Sequence, residues 1–180
     1  MLRVIAGKFK SRKIKEVKSK LTRPTTDKNK EVLFNLLGQF FSGGAVLDLF
    51  AGSGSLGIEA ISRGMESVDF VDKSYQAIKA IKTNINTLNL DKQANTYKTD
   101  AIKYLETCTN FYDLILVDPP YKINLYQEIL NLVTSRQILK INGIIVLESD
   151  KFTNIEPVKN LTVLQTKILG ISKFTILRRE

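Results

Sequence analysis

An α/β fold, with a mostly parallel sheet and helices on both of its faces, is what this 180-residue chain predicts. Three observations carry the prediction. Between Ala45 and Leu147, short apolar runs suited to strands alternate with stretches whose apolar residues recur at helical spacing. The first of those runs ends in Gly52-Ser53-Gly54, a tight strand-to-helix turn. The last two strand-like runs, 161–169 and 172–178, are separated by Gly170, so they pair antiparallel and close the sheet.

The elements follow in order. Residues 2–6 and 12–17 read as short strands of a hairpin around Gly7-Lys8-Phe9-Lys10. Thr22-Arg23-Pro24-Thr25 is a turn, and Thr25 or Thr26 can cap a helix in which Val32, Leu33, Leu36, Leu37 and Phe40 share a face. After Gly43-Gly44, residues 45–49 form a strand and 55–63 a helix stopped by Gly64. Residues 68–71 are a strand, and 74–88 a helix with Ile78, Ile81, Ile85 and Leu88 on one side. A weak strand at 95–98, a short helix at 101–107 and a buried strand at 113–117 come next, then a helix over 125–139 and a strand at 144–147. Residues 1–24 form an N-terminal arm, and 25–180 one α/β domain of a size that builds its own core.

Composition removes many chemistries. There is no histidine, which excludes Ser-His-Asp hydrolysis and His-ligated zinc, and a single cysteine excludes a thiolate zinc site. No metal is expected. Cys108 reads as a small buried hydrophobe, and a lone cysteine with no apolar leader segment suits a reducing cytoplasm. No apolar run is long enough for a membrane span. The charge is uneven: residues 1–30 hold eleven basic and two acidic side chains, which is the whole net charge of +9. A basic arm interleaved with Leu2, Val4, Ile5, Phe9, Ile14 and Val17 reads as a folded handle for a polyanion.

Asp118-Pro119-Pro120-Tyr121 directly follows the apolar run 114–117. A carboxylate and a proline carbonyl can both accept hydrogen bonds from an exocyclic NH2 while the aromatic ring stacks on the base that carries it. The plainer possibility is that the prolines only end a strand and open a loop. The loop at Phe50-Ala51-Gly52-Ser53-Gly54 sharpens the choice. Gly52, Gly54 and Gly57 spell GxGxxG, with Asp72 twenty residues past Gly52, as in dinucleotide-binding folds. Yet Asp48 stands before the loop, where a carboxylate repels pyrophosphate and suits an amine. The chain also lacks room for a separate substrate domain, and the proline-rich element falls on the rim where such sheets bind ligands. S-adenosyl-L-methionine, with an amino acid in place of pyrophosphate, fits better. Asp72-Lys73 then meets the ribose hydroxyls and Asp100-Ala101 the adenine. Both aspartates also stand where they can cap helices, a role compatible with ligand contact.

The residues 46–54, Phe70-Val71-Asp72-Lys73 and Asp118-Pro119-Pro120-Tyr121 resemble class I methyltransferases that act on exocyclic amines of bases. Three further stretches narrow the likeness: Arg3-Val4-Ile5-Ala6-Gly7-Lys8, Thr22-Arg23-Pro24-Thr25-Thr26-Asp27, and residues 56–64. Together they resemble the bacterial RsmD family, which methylates N2 of a guanine in 16S ribosomal RNA. That resemblance implies a class I Rossmann-like fold with a seven-stranded sheet, and Asp118, Pro119, Pro120 and Tyr121 as the catalytic element. It also implies RNA contact through Arg3, Lys8, Lys10, Arg12, Lys13, Arg23 and Thr25, with an assembled or assembling 30S subunit as the partner and a monomeric enzyme. Ser11 and Ser55 depart mildly from the family pattern. An adenine or cytosine amino methyltransferase of DNA, and a non-catalytic ribosome-assembly factor, remain open alternatives.

Overall fold

A computed structural model describes residues 2–17, 26–120 and 125–180. Its elements are β1 (Leu2–Arg3), β2 (Lys13–Ile14), α1 (Asp27–Leu36), β3 (Ala45–Leu49), α2 (Ser55–Ser62), β4 (Ser67–Asp72) and α3 (Tyr75–Leu88). They continue with β5 (Ala94–Lys98), α4 (Ala101–Thr107), β6 (Tyr112–Val117), α5 (Tyr126–Ser135), β7 (Leu139–Asp150), β8 (Leu161–Leu169) and β9 (Ser172–Arg179). The seven-stranded sheet runs β5-β4-β3-β6-β7-β9-β8; its first five strands are parallel, and β9 is antiparallel to both neighbours. This is the class I methyltransferase fold, with strand order reversing between β3 and β6.

Side-chain alternation along the strands divides the core in two. Val46, Leu114, Leu116 and Val146 face α1, α2 and α3, packing with Leu33, Phe34, Ile58, Ile61 and Ile81. Leu47, Leu49, Val117 and Leu147 face α4 and α5, packing with Leu105, Ile129, Leu130 and Val133. The second face also buries a polar knot. Asp69 accepts hydrogen bonds from Asn95, Asn110, Tyr104 and Tyr112, and burial pushes both tyrosine hydroxyls above their ordinary range.

The arm shares the first core through Leu2, Val4 and Ile14, and its two strands are short, pairing Leu2 with Ile14 and Arg3 with Lys13. It is held mainly by polar groups of α2. Glu59 accepts the backbone N–H of Ile5 at 2.8 Å and of Ala6 at 3.0 Å, and Arg63 Nε at 2.8 Å. Ser62 Oγ donates to Ala6 O and accepts from Phe9 N, while Ser62 O accepts from Lys8 N. Gly7, at φ 80°, presses its backbone on this turn; a Cβ there would lie 1.8 Å from Ser62 O.

Two helices and one side chain differ from the sequence expectation. Helix α1 starts on the Thr26 cap, whose hydroxyl accepts Asn29 N, but it ends at Leu36 and leaves Phe40 60% exposed. Its buried stripe is Lys30, Leu33 and Phe34, a lysine replacing the apolar residue that periodicity sought, because Glu59 waits opposite. Helix α5 stops at Ser135, and Gln137 at φ 56° turns the chain so that Leu139 already pairs with Tyr112 in β7. Cys108 is only half-buried.

Candidate active site

The strands that define the rim end side by side. Leu49 of β3 pairs with Val117 of β6, so Phe50, opening the glycine loop, and Asp118, opening the proline element, leave the sheet as neighbours. Parallel strands stand about 4.8 Å apart, so the two loops flank one crevice at the point where strand order reverses. Asp118 is partly exposed there and Pro119 is buried. Tyr121, Arg23 and Thr25 lie outside the described residues.

The glycine loop is built by its own backbone. Phe50, Gly52 and Gly54 all have positive φ, at 62°, 55° and 78°. Gly54 N–H donates to Ala51 O and Ala51 N–H to Val71 O, closing a tight turn against β4. Gly57, the third glycine, serves packing: a Cβ on it would meet the Phe70 ring at 2.5 Å and Val68 at 2.8 Å. It thus lets α2 lie directly on the sheet.

Two acidic residues, Asp72 and Asp48, brace this turn, and a third, Asp100, caps a neighbouring helix. Asp72 Oδ2 accepts Gly52 N–H at 2.9 Å and Oδ1 accepts Ser74 N–H at 2.8 Å, tying the loop to the start of α3. Lys73 beside it is exposed. Asp100 caps α4, accepting Ile102 N–H at 2.9 Å, with buried Ala101 next to it. Asp48 is 2% exposed and accepts Gly57 N–H at 2.9 Å. Burial pushes its carboxyl up to about 7, opposed by the Gly57 hydrogen bond and assisted by the Asp72 charge.

The Asp48 shift has a consequence for stability. Its folded value lies above its unfolded one, so the folded protein keeps a proton that the unfolded chain releases. The associated stabilisation is present at low pH and is lost as pH rises toward about 7. Across pH 5 to 6.5 this costs about 1.4 kcal/mol per pH unit. Asp48→Asn is expected to remove that component, measured as the difference between the two proteins' urea-unfolding free energies across this range. Parallel pH profiles would show that Asp48 is ionised in the folded state.

Sequence reasoning missed the residues that join the arm to this loop. Asn84 of α3, 2% exposed, accepts Lys15 N–H at 2.7 Å and donates to Lys15 O at 3.1 Å and to Ser53 O at 2.9 Å. Lys30, fully buried, donates to Arg3 O at 2.6 Å and to Ser55 Oγ at 3.0 Å, with Glu59 Oε2 at 3.5 Å. Desolvation lowers the Lys30 pKa, and Glu59 opposes that. Lys30 is therefore a structural cation, although it contributes to the arm's formal charge. A polar residue on the apolar side of a predicted helix was the available signal at position 84.

The surface cations follow α2. Arg3 and Lys15 sit level with the glycine loop, whereas Lys8 docks at Ser62, at the opposite end of a helix about 12 Å long. Lys10, Arg12 and Lys13 are exposed on the same hairpin, and exposed Arg3 shares an ion pair with Asp27 at 2.8 Å. The described residues thus place a basic strip running from the rim down one flank. Among them no helix is long and apolar enough to cross a membrane.

Known proteins resemble this chain over nearly its whole length. The chain is 43% identical to YlbH of Bacillus subtilis (strain 168), provisionally named an rRNA methyltransferase, over 99% of its own length and 100% of that protein's. It is 34% identical to Ribosomal RNA small subunit methyltransferase D of Haemophilus influenzae, over 97% of this chain and 92% of that one. The solved structure of yhhF from Escherichia coli, provisionally named a methyltransferase, superposes with a TM-score of 0.87 at 28% identity, covering 99% of this chain and 98% of that one. A family model described as "Conserved hypothetical protein 95" matches residues 2–178. The chain belongs to that family, the RsmD family of ribosomal RNA methyltransferases.

Proposed function

We propose that this protein transfers a methyl group from S-adenosyl-L-methionine to the exocyclic N2 of a guanine in 16S ribosomal RNA. The observation that carries the reading is the adjacency of the glycine loop and Asp118-Pro119 across the β3–β6 pair. The relatives named for the ribosomal small subunit support RNA of that subunit as the substrate, and the proposal places that RNA in an assembled or assembling 30S particle.

The residues present suit this cofactor. The loop offers a close backbone approach, and the nearby side chains Asp48, Asp72 and Asp100 are acceptors for amine, hydroxyl or amide groups. They are a poor lining for pyrophosphate. Phe50, Ala51, Gly52, Ser53 and Gly54 would line the amino-acid portion, Asp72 and Lys73 the ribose, and Asp100 and Ala101 the adenine. When bound, the cofactor supplies an electrophilic methyl on a sulfonium.

What the protein must do is aim a weak nucleophile. The guanine N2 lone pair is delocalised into its ring. The Asp118 carboxylate and Pro119 carbonyl each accept one N2–H, drawing the lone pair out of conjugation, while Tyr121 stacks on the base and fixes its angle. Pro120 stiffens the connection between them. Positioning and fixed charge supply the rate. In the transfer the methyl's bond to the sulfonium sulfur would break, releasing a neutral thioether, while N2 loses a proton toward Asp118, which needs no unusual basicity because that proton turns acidic as the new bond forms. The base must leave its stack to arrive here, and the basic strip holds the flanking phosphates.

Two measurements test this. Labelled methyl transfer should be seen with 30S subunits or 16S RNA, and nucleoside mass spectrometry should find N2-methylguanosine. N6-methyladenosine, labelled duplex DNA or no transfer at all would each refute the reading. Separately, Lys8, Lys10, Arg12 and Lys13 changed to Gln should flatten the dependence of log K for RNA on log salt, by about 0.7–0.9 for each phosphate no longer neutralised. Neutralisation is preferable to deleting the arm, which would uncover Leu2, Val4 and Ile14. An unchanged slope would remove the arm from the RNA interface.

A further inference from the structure

We propose that the exposed stripe of α3 is a second RNA-binding surface, on which Tyr75 stacks with an unpaired base of the substrate while Lys79 and Lys82 take neighbouring phosphates. The inference rests on the RNA methyltransferase reading above and names the surface that receives the strand beside the target. Tyr75 is the first residue of α3, three positions past Asp72 at the end of β4. It therefore stands on the same carboxyl edge of the sheet as the glycine loop, one strand away from the crevice between β3 and β6. It is 66% exposed. Lys98, which ends β5 and pairs with Asp72, brings its ammonium to 5.7 Å from the centre of the Tyr75 ring.

The helix has two unlike sides. Ile78, Ile81, Ile85 and Leu88 are buried in the first core. Tyr75, Lys79, Lys82 and Asn86 recur at i, i+4, i+7 and i+11 and form one exposed stripe. From Lys73 to Leu90 the chain carries Lys73, Lys79 and Lys82 and no carboxylate, although residues 31–180 balance their charges as a whole. The rim acids Asp72 and Asp100 are engaged, accepting backbone N–H groups of Gly52, Ser74 and Ile102. The arm adjoins this helix, because Asn84 of α3 binds both backbone groups of Lys15, whose side chain is exposed.

A lone exposed aromatic is ordinary on a protein surface. An aromatic ring in line with lysines at a ligand-binding rim is what single-stranded nucleic acid recognises, since every base has a flat face to stack and every nucleotide a phosphate to neutralise. Tyr75 to Lys82 spans about 10 Å along the helix axis, room for a stacked base and a neighbouring phosphate. A target guanine that leaves its stack for the crevice uncovers the faces of the bases beside it, and Tyr75 offers a replacement.

The test is equilibrium binding to 16S RNA at several salt concentrations. Tyr75→Ala should weaken binding about 5- to 150-fold, with the dependence of log K on log salt unchanged, because stacking releases no counterions. Tyr75→Phe keeps the ring and should bind like the native protein, whereas Tyr75→Leu, apolar but not flat, should not. Lys79→Gln combined with Lys82→Gln should instead lower the salt slope, by about 0.7–0.9 for each phosphate no longer neutralised. Ser74 still caps α3 in all of these variants, and urea unfolding checks that they fold as the native protein does. Native RNA affinity in Tyr75→Ala, or in Tyr75→Leu, overturns the proposal. Loss of calorimetric affinity for S-adenosylmethionine in Tyr75→Ala, with folding intact, assigns the ring to the cofactor and overturns it as well. Failure of the native enzyme to methylate 16S RNA would instead overturn the reading beneath, and the binding comparison, which needs no turnover, tells the two apart.

Discussion

Replacing Asp118 with alanine is expected to lower kcat by about 10²–10³-fold, the usual cost of losing one fixed group at a reacting centre. Affinity for S-adenosylmethionine, measured by calorimetry, should not change. The split follows from position. Asp118 opens its own loop after β6, while the glycine loop is braced separately by Asp72, Asp48 and the Val71 carbonyl. Binding and turnover falling together would mean that Asp118 holds the cofactor rather than the base. Asp118→Asn is the sharper comparison, because the amide can keep one acceptor while losing the charge.

Glu59→Ala should produce the largest loss of stability in the molecule, about 3–5 kcal/mol. Its carboxylate is fully buried between two buried cations, Lys30 and Arg63, and it satisfies the N–H groups of Ile5 and Ala6 as well. Alanine leaves both cations uncompensated and two backbone donors without an acceptor. Since a domain of this size is stable by only about 5–15 kcal/mol, the variant should sit near the edge of folding. Urea unfolding gives the magnitude, and hydrogen exchange at Ile5 and Ala6 reports whether the arm has let go. A loss below about 1 kcal/mol with those amides still protected would show that apolar packing alone holds the arm.

Much of the parallel core was legible because it rests on local rules. The α4 boundaries, Ala101 to Thr107, follow from Asp100 as a cap and the apolar residues after it. The glycine loop and the proline element could be placed on one rim because strands ending in such turns sit at the carboxyl edge of a parallel sheet. Lys30 and Glu59 look like ordinary surface charges of two helices, and their pairing spans nearly thirty residues of chain. Asn84 has the same history. The periodicity of α3 marks it only as a polar residue among isoleucines, and its partners are backbone atoms that no sequence pattern names.

The Asn84 clasp also orders events during synthesis. Lys15 and its partner are 69 residues apart, and Ile5 and Ala6 wait 54 and 53 residues for Glu59. Chains are made from the N-terminus, so this cationic stretch leaves the ribosome well before α2 and α3, the helices that seat it. Until Asn84 emerges, Leu2, Val4 and Ile14 have no complete surface to cover, and closing so long a loop early gains little to offset its entropy. The nascent arm therefore passes through a period as an open, basic, partly apolar tail beside a particle made largely of RNA. A ribosome stalled with Asn84 still inside its tunnel should leave that tail open to protease, and release of a few tens more residues should close it.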